Sequence, residues 1–179
     1  MIYKDFKNLK LSTLGFGAMR LPTTKEPEKI DEEKATELFE YAYNNGVNLF
    51  DTAFFYHGGE SESLLGKVLD KFPRDTWYLA DKFPGNMMDY EDGKLLFDAE
   101  WAGMEKMTFN DPLEVFEHQL KNSGVDYFDF YMVHNIAEST YDLYTNEKLG
   151  IVKCLVEQKK AGRIKHLGIS THGRYETID

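Results

Sequence analysis

The segment Val47–Glu62, VNLFDTAFFYHGGESE, decides how the fold is interpreted. It opens with an apolar run of strand length that ends near Asp51, and a helical pattern begins near Ser61. That helix is predicted to bury one apolar face, made of Leu64, Leu65, Val68 and Leu69. A short strand followed by an amphipathic helix is one β/α unit, and this unit carries an acidic residue at the end of its strand.

The same unit recurs along the chain, which predicts parallel strands joined by helices. The predicted strands are Thr13–Arg20, Val47–Ala53, Thr76–Lys82, Phe128–His134 and Ile164–Ser170. Helix boundaries are marked by the N-caps Asp31 and Asp111 and by the stops Gly46 and Gly124, and a last helix is predicted over roughly Glu147–Ala161.

The polar residues Asp51, Lys82, His134 and Ser170 fall at or near the carboxyl ends of successive predicted strands. Parallel β/α barrels place their active sites at this edge. A doubly wound sheet would instead show a glycine-rich phosphate turn, but Gly15-Phe16-Gly17 lacks the third glycine. The prediction is an α/β fold of the (β/α)8 TIM-barrel type, as one domain over residues 1–179. It is incomplete, with about five of eight units, because a complete barrel needs about 250 residues.

Composition narrows the class of partner. The chain has 21 Lys and Arg against 31 Asp and Glu, a formal charge of −10, and no basic run, which argues against nucleic acid and anionic membranes. Its single cysteine, Cys154, cannot form an intrachain disulfide and lies at core spacing in the last helix, so a packing role is predicted. The charged opening residues do not resemble a signal peptide and no apolar run reaches membrane length, so we predict a cytoplasmic protein.

Four residues have the chemistry of a proton-donating site. A tyrosine such as Tyr56 is a weak acid, and a neighbouring ammonium, here Lys82, favours its ionised form. A carboxylate paired with that lysine, here Asp51, would keep it charged and fix its position. His134 would hydrogen-bond a substrate carbonyl from another side, so the group could donate a proton to an oxygen that gains negative charge.

Each of these residues also has a structural interpretation. Asp51 alone would cap a turn, Lys82 alone would be a solvated charge, His134 would be a buried histidine with satisfied hydrogen bonds, and Tyr56 would pack in an aromatic loop. Their joint placement at consecutive strand ends favours the functional interpretation.

The motifs at these positions resemble the aldo-keto reductase family. They are FDTAFFY with GGESE, the lysine of LADKF, the histidine of FDFYMVHN, and GRIKHLGISTHG, and the resemblance runs from the first strand to the chain end. It implies a (β/α)8 barrel, NADPH, and reduction of aldehydes or ketones. Tyr56 would be the general acid, Lys82 the cation that tunes it, Asp51 the partner of Lys82, and His134 the group that orients the carbonyl.

The resemblance also implies cofactor contacts. Ser170 and Thr171 match positions that hold the nicotinamide carboxamide, and Gly17 and Met19 match positions where the first strand borders the cofactor, next to Asp51. The branch that the chain most resembles often carries a cysteine-rich iron–sulfur tail, which this sequence lacks, and no metal site is predicted.

The segment from residue 83 to residue 110 is long for a link between a strand and its helix. Its apolar residues are Met87, Met88, Phe97, Trp101, Met104, Met107 and Phe109. A hydrophobic cluster of its own is one interpretation, and a substrate lid over the active-site edge is the other.

The chain ends at ETID, just after the fifth predicted strand. The resemblance places most phosphate contacts of the cofactor beyond this point, so two functions stay open. The first is an NADPH-dependent carbonyl reductase with impaired activity. The second is a non-catalytic fragment that acts as an interaction module and self-associates through open strand edges. An isomerase or lyase on the same barrel is disfavoured, because it would not need a lysine beside the tyrosine.

Overall fold

The structure, a computed structural model, describes residues 1–25, 29–100 and 104–178. Its strands are β1 Tyr3–Phe6, β2 Leu9–Ser12, β3 Phe16–Gly17, β4 Leu49–Asp51, β5 Tyr78–Phe83, β6 Met88–Glu91, β7 Lys94–Phe97, β8 Met107–Phe109, β9 Phe128–Ile136 and β10 Ile164–Thr171. Its helices are α1 Glu32–Asn44, α2 Glu60–Leu69, α3 Pro112–Ser123, α4 Tyr141–Thr145, α5 Ile151–Lys160 and α6 Tyr175–Ile178.

The central sheet has five parallel strands in the order β10-β9-β5-β4-β3. Within this sheet, each strand therefore lies beside the strand that follows it in chain order, and the order never reverses. A doubly wound sheet reverses its strand order at a switch point, whereas a β/α barrel adds strands in one direction. The topology confirms the barrel-type prediction and brings all five carboxyl ends to one edge.

Capping residues bound two of the helices as predicted. Asp31 accepts a hydrogen bond from the backbone N–H of Lys34 at 3.2 Å, and Asp111 accepts one from the N–H of Glu114 at 3.0 Å. Gly124 takes the left-handed conformation, with φ 64°, at the end of α3. These contacts are local, so the sequence alone was sufficient to predict them.

The predicted first strand, Thr13–Arg20, is wrong for most of its length. Only Phe16 and Gly17 pair with β4, and the chain then turns so that the N–H of Ala18 donates to the carbonyl of Asp51 at 2.8 Å. The reason is that β3 is an edge strand whose partner β4 is itself three residues long, so the ladder cannot extend further.

An antiparallel hairpin, β1–β2, precedes the sheet and was not predicted. Phe6 in β1 packs against Phe130 and His166, with ring centroids 5.6 and 5.3 Å apart. Both partners lie early in β9 and β10, so the hairpin covers the amino end of the sheet. No burial pattern marked it, because all four residues of β1 are exposed.

Residues 83–110 contain a small antiparallel sheet, β6-β7-β8. Leu95, Phe97 and Phe109 are buried, and the Phe97 ring lies 4.6 Å from that of Phe54, just after β4. This three-stranded sheet therefore packs beside the carboxyl edge and has an apolar cluster of its own. Trp101, part of the predicted cluster, lies outside the described residues. Within the described ranges, no helix is long and apolar enough to cross a membrane.

Candidate active site

Asp51 and Lys82 form an ion pair across neighbouring strands. Asp51 ends β4 and Lys82 lies near the end of β5, so both reach the carboxyl edge. Lys82 Nζ donates to Asp51 Oδ1 at 2.7 Å and to the carbonyl of Thr52 at 2.6 Å. The Lys82 side chain is only 7% exposed, and a buried ammonium is tolerated only when it is paired and hydrogen-bonded. These two contacts hold the charge at a defined point of the edge.

Tyr56 is brought to the same place by a turn between β4 and α2. The turn places His57 in the left-handed region, with φ 52°, and His57 Nε2 accepts the N–H of Leu21 at 2.9 Å. Lys82 Nζ lies over the Tyr56 ring, 5.1 Å from its centroid. In the part of the chain that the structure describes, the Tyr56 hydroxyl has no hydrogen bond. The contact with Lys82 is through the ring face.

His134 borders the same space from β9, which is the neighbour of β5. Its ring stacks on Phe55 at 5.2 Å and meets the edge of Tyr56 at 6.2 Å. Burial lowers the pKa of His134 to about 4, with smaller contributions from Lys82 and His172. The imidazole is therefore neutral at pH 7, and its Nδ1 is a buried atom that has no hydrogen-bond partner among the described residues.

The neutral state of His134 predicts a measurable pH dependence of the folding stability. Because the pKa of His134 is lowered from 6.5 to about 4, the contribution of His134 to folding stability is fully present above pH 6.5 and is lost as the pH falls toward 4. The loss amounts to at most about 3.5 kcal/mol, since one pKa unit is worth about 1.4 kcal/mol. The imidazole signals in an NMR titration should shift with a midpoint well below 6.5. A His134→Gln variant should show a shallower loss of stability over this range, and a midpoint near 6.5 would contradict the buried, neutral state.

The residues expected to contact a cofactor divide into two groups. Gly17 pairs with Asp51 across β3 and β4, a Cβ built on Gly17 would meet nothing within 4 Å, and Met19 is 54% exposed. This side of the edge is therefore open. Ser170 falls where the β9–β10 register shifts, beside the strand segment that carries His134, and it is half-buried. Thr171 is different, because its hydroxyl donates to the carbonyl of Ile136 at 2.6 Å and accepts the N–H of Gly173 at 3.0 Å.

A nicotinamide ring suits the open part of this edge. It needs a flat approach without a side chain in the way, which Gly17 leaves, and a hydroxyl for its carboxamide, which Ser170 can supply. Thr171 would have to release its bond to Ile136 to take part. The donor set present thus fits the nicotinamide end of a nicotinamide cofactor.

Tyr144 is a structural partner of this site that sequence reasoning missed. Its hydroxyl donates to the carbonyl of His134 at 2.5 Å and accepts the N–H of Asn86 at 3.0 Å. The ring lies so close to Gly85 that a Cβ there would stand 2.4 Å from it. Tyr144 therefore joins the ends of β5 and β9. It lies on α4, which no sequence pattern predicted, so there was no signal for its role.

The fold and site together define a β/α-barrel type of protein with a lysine–aspartate pair, a tyrosine and a neutral histidine at the carboxyl edge of its sheet. The aldo/keto reductase family model matches residues 13–179. The chain belongs to the aldo/keto reductase family. Its named relatives include reductases and dehydrogenases.

Similar proteins support the family and the fold. Probable aldo-keto reductase 1 of Glycine max is 30% identical over 164 residues, which are 92% of this chain and 42% of that protein. L-galactose dehydrogenase of Arabidopsis thaliana is 29% identical, over 90% of this chain and 45% of that protein. An aldo-keto reductase of Bacillus halodurans, solved in a holo form, is 27% identical with a TM-score of 0.67, over 96% of this chain and 51% of its own. The chain therefore spans about half the length of these relatives, and its five parallel strands form part of a TIM barrel.

Proposed function

We propose that this protein reduces an aldehyde or a ketone to the alcohol with NADPH, and that Asp51, Tyr56, Lys82 and His134 are its catalytic residues. The observation that carries the proposal is the buried Lys82 ammonium, which lies 2.7 Å from Asp51 Oδ1 and 5.1 Å from the centroid of the Tyr56 ring, with a neutral His134 alongside. The names of the relatives, which include reductases and dehydrogenases, support oxidoreductase chemistry on a carbonyl or alcohol.

Each residue has a distinct part in this mechanism. When bound, NADPH would supply the hydride that the carbonyl carbon accepts. Tyr56 gives its phenolic proton to the carbonyl oxygen as that oxygen gains negative charge. Lys82, held by Asp51 and Thr52, stabilises the phenolate that remains. His134 is neutral and has one N–H, so it can donate a hydrogen bond to the same oxygen without adding a positive charge.

We further propose that β6, β7 and β8 act as a cover on the substrate side of the edge. Phe97 packs on Phe54, two residues before Tyr56, and the Met104 methyl lies next to Gly59. A cover at this place would exclude water from the proton transfer. It would also line the substrate side with apolar groups, which suits aldehydes or ketones with an apolar substituent.

NADPH titration of the purified chain tests the proposed function. We expect nicotinamide fluorescence to change on binding and NADPH to be consumed when an aldehyde or ketone is added. A Gly17→Val variant should fold as the wild type does, because a Cβ there meets no protein atom, yet it should bind NADPH at least about 10-fold more weakly because the new side chain fills cofactor space. Thermal unfolding of the variant is the control for folding.

If the chain neither binds NADPH nor consumes it, the proposal is contradicted and an interaction module is favoured. The two outer strands, β3 and β10, leave an edge unpaired within the described ranges, and Ile169 on β10 is 48% exposed. A chain that binds no NADPH and elutes as an oligomer would fit that second function. Equal NADPH affinity of the wild type and Gly17→Val would place the cofactor elsewhere.

A further inference from the structure

A second cluster of polar side chains lies behind Lys82, between β5 and the helices α2 and α3. Successive residues of a strand point to opposite faces, so Asp81 faces the helices while Lys82 faces the candidate active site. Asp81 and Gln119 are 0% exposed and Glu62 is 1% exposed. A buried carboxylate is costly unless donors satisfy it, so the protonation of these two acids has to follow from their contacts.

Glu62, on α2, is surrounded by donors. Gln119 Nε2 donates to Glu62 Oε1 at 2.8 Å, and Asn122 Nδ2 donates to Glu62 Oε2 at 2.7 Å. The hydroxyl of Tyr131 donates to Gln119 Oε1, which fixes the orientation of that amide. Each Glu62 oxygen thus accepts from a neutral N–H, the pattern of an ionised carboxylate.

Asp81 has the opposite pattern. Its Oδ1 accepts the N–H of Lys82 at 2.7 Å, whereas its Oδ2 is buried with no donor among the described residues. The side chain that faces it is the Glu62 carboxyl. Two ionised carboxylates in this place would repel each other, but a proton on Asp81 Oδ2 turns that atom into a donor to Glu62 and satisfies both groups.

The pKa shifts of the two acids agree with a proton on Asp81 and a charge on Glu62. Burial and the charge of Glu62 raise the pKa of Asp81 well above its usual value, and burial also raises that of Glu62, against which Asn122 and Gln119 act. Among the residues that the structure describes, two other titratable groups face the pair. Lys82, on the same strand, favours the ionised form of Asp81, and Tyr131 on β9 keeps its own proton because burial and the two acids raise its pKa.

We propose that Asp81 keeps its proton in the folded protein at neutral pH, that Glu62 carries the charge, and that Asp81 and Gln119 are positioning residues for Lys82. Asp81 Oδ1 holds the N–H of Lys82, and Gln119 Nε2 donates to the Lys82 carbonyl at 3.1 Å. The backbone N–H and the backbone carbonyl of Lys82 are therefore both held by one hydrogen-bonded unit. The part that concerns Lys82 rests on the proposed function, and the part that concerns the proton does not.

Two isosteric substitutions should have opposite effects. Asp81→Asn replaces the protonated acid by an amide that keeps the acceptor for Lys82 and the donor for Glu62, so its unfolding temperature at pH 7 should equal or exceed that of the wild type. Glu62→Gln places an NH2 group against the NH2 of Gln119 or Asn122, and its unfolding temperature should fall by about 5–10 °C. An infrared band of a protonated carboxyl should be present at pH 7 in the wild type and absent in Asp81→Asn.

The pH profile provides a second measurement. Because the pKa of Asp81 is raised, the contribution of Asp81 to the stability of the wild type is fully present below about pH 4 and is lost as the pH rises above that value. The advantage of Asp81→Asn should therefore grow between pH 5 and pH 9, and its reductase turnover should persist at alkaline pH values where that of the wild type declines.

The results can overturn each part separately. If Asp81→Asn unfolds earlier than the wild type, or if the wild type lacks the infrared band, the proton is not on Asp81. If the band and the stabilities agree but turnover has the same pH profile in both proteins, the positioning role is refuted. If no protein shows turnover, the proposed function fails and the positioning role with it, while the stability and infrared data still decide where the proton resides.

Discussion

Replacing Tyr56 with phenylalanine is expected to lower kcat/KM for carbonyl reduction by about 10²–10⁴-fold, the usual contribution of general acid catalysis, and to leave the affinity for NADPH unchanged. The substitution removes only the hydroxyl, which has no hydrogen bond within the described residues. The ring contacts with Lys82 at 5.1 Å and with His134 at 6.2 Å do not need that oxygen. Loss of turnover would therefore reflect loss of the proton and not of the fold.

The matched control for this variant is Tyr90→Phe. Tyr90 lies on β6, is 45% exposed, and loses the same single oxygen. NADPH oxidation in the presence of a carbonyl substrate should be close to that of the wild type in Tyr90→Phe and nearly absent in Tyr56→Phe. Equal turnover in the two variants would refute the role of Tyr56 as the proton donor.

The Gly66→Ala change is expected to destabilise the protein by about 3 kcal/mol or more, at or above the upper end of the usual cost of overpacking. Gly66 lies in α2 where that helix meets the end of α3, and a Cβ on it would stand 2.0 Å from the carbonyl oxygen of Ser123. That atom is backbone, so it cannot rotate away and the two helices must separate. In an open helix position the same change would instead stabilise by about 1 kcal/mol, because alanine is the better helix former.

Urea unfolding measures this effect. Ser63→Ala, on the exposed side of the same helix, is the control and should stay within about 0.5 kcal/mol of the wild type. Because α2 and α3 carry Glu62 and Gln119, their separation should also disturb the unit behind Lys82. A stabilised Gly66→Ala protein would show that the two helices can move apart without cost.

The sequence by itself determined the repeated β/α units, the helix caps and the edge where the polar residues meet. These follow from local physics: apolar periodicity of strand and helix, side chains that cap the neighbouring backbone, and the rule that parallel strands end together. The placement of Asp51, Lys82 and His134 on one edge followed from the same rule, because each lies at or near the end of a neighbouring strand. The family also followed from short motifs.

Only the tertiary structure decided the features that depend on which distant segments touch. The β1–β2 hairpin and the β6–β8 sheet take their form from contacts with Phe130 and Phe54, which lie far away along the chain. The ring-face contact of Tyr56 with Lys82 depends on a turn that His57 stabilises through Leu21. Nothing in the sequence distinguishes Asp81 from the other charged residues. Its protonation depends on α2, which brings Glu62 against it, and on burial, which removes water from both. Burial and the pairing of polar groups are properties of the packed chain, since the free energy of a charge depends on everything that surrounds it.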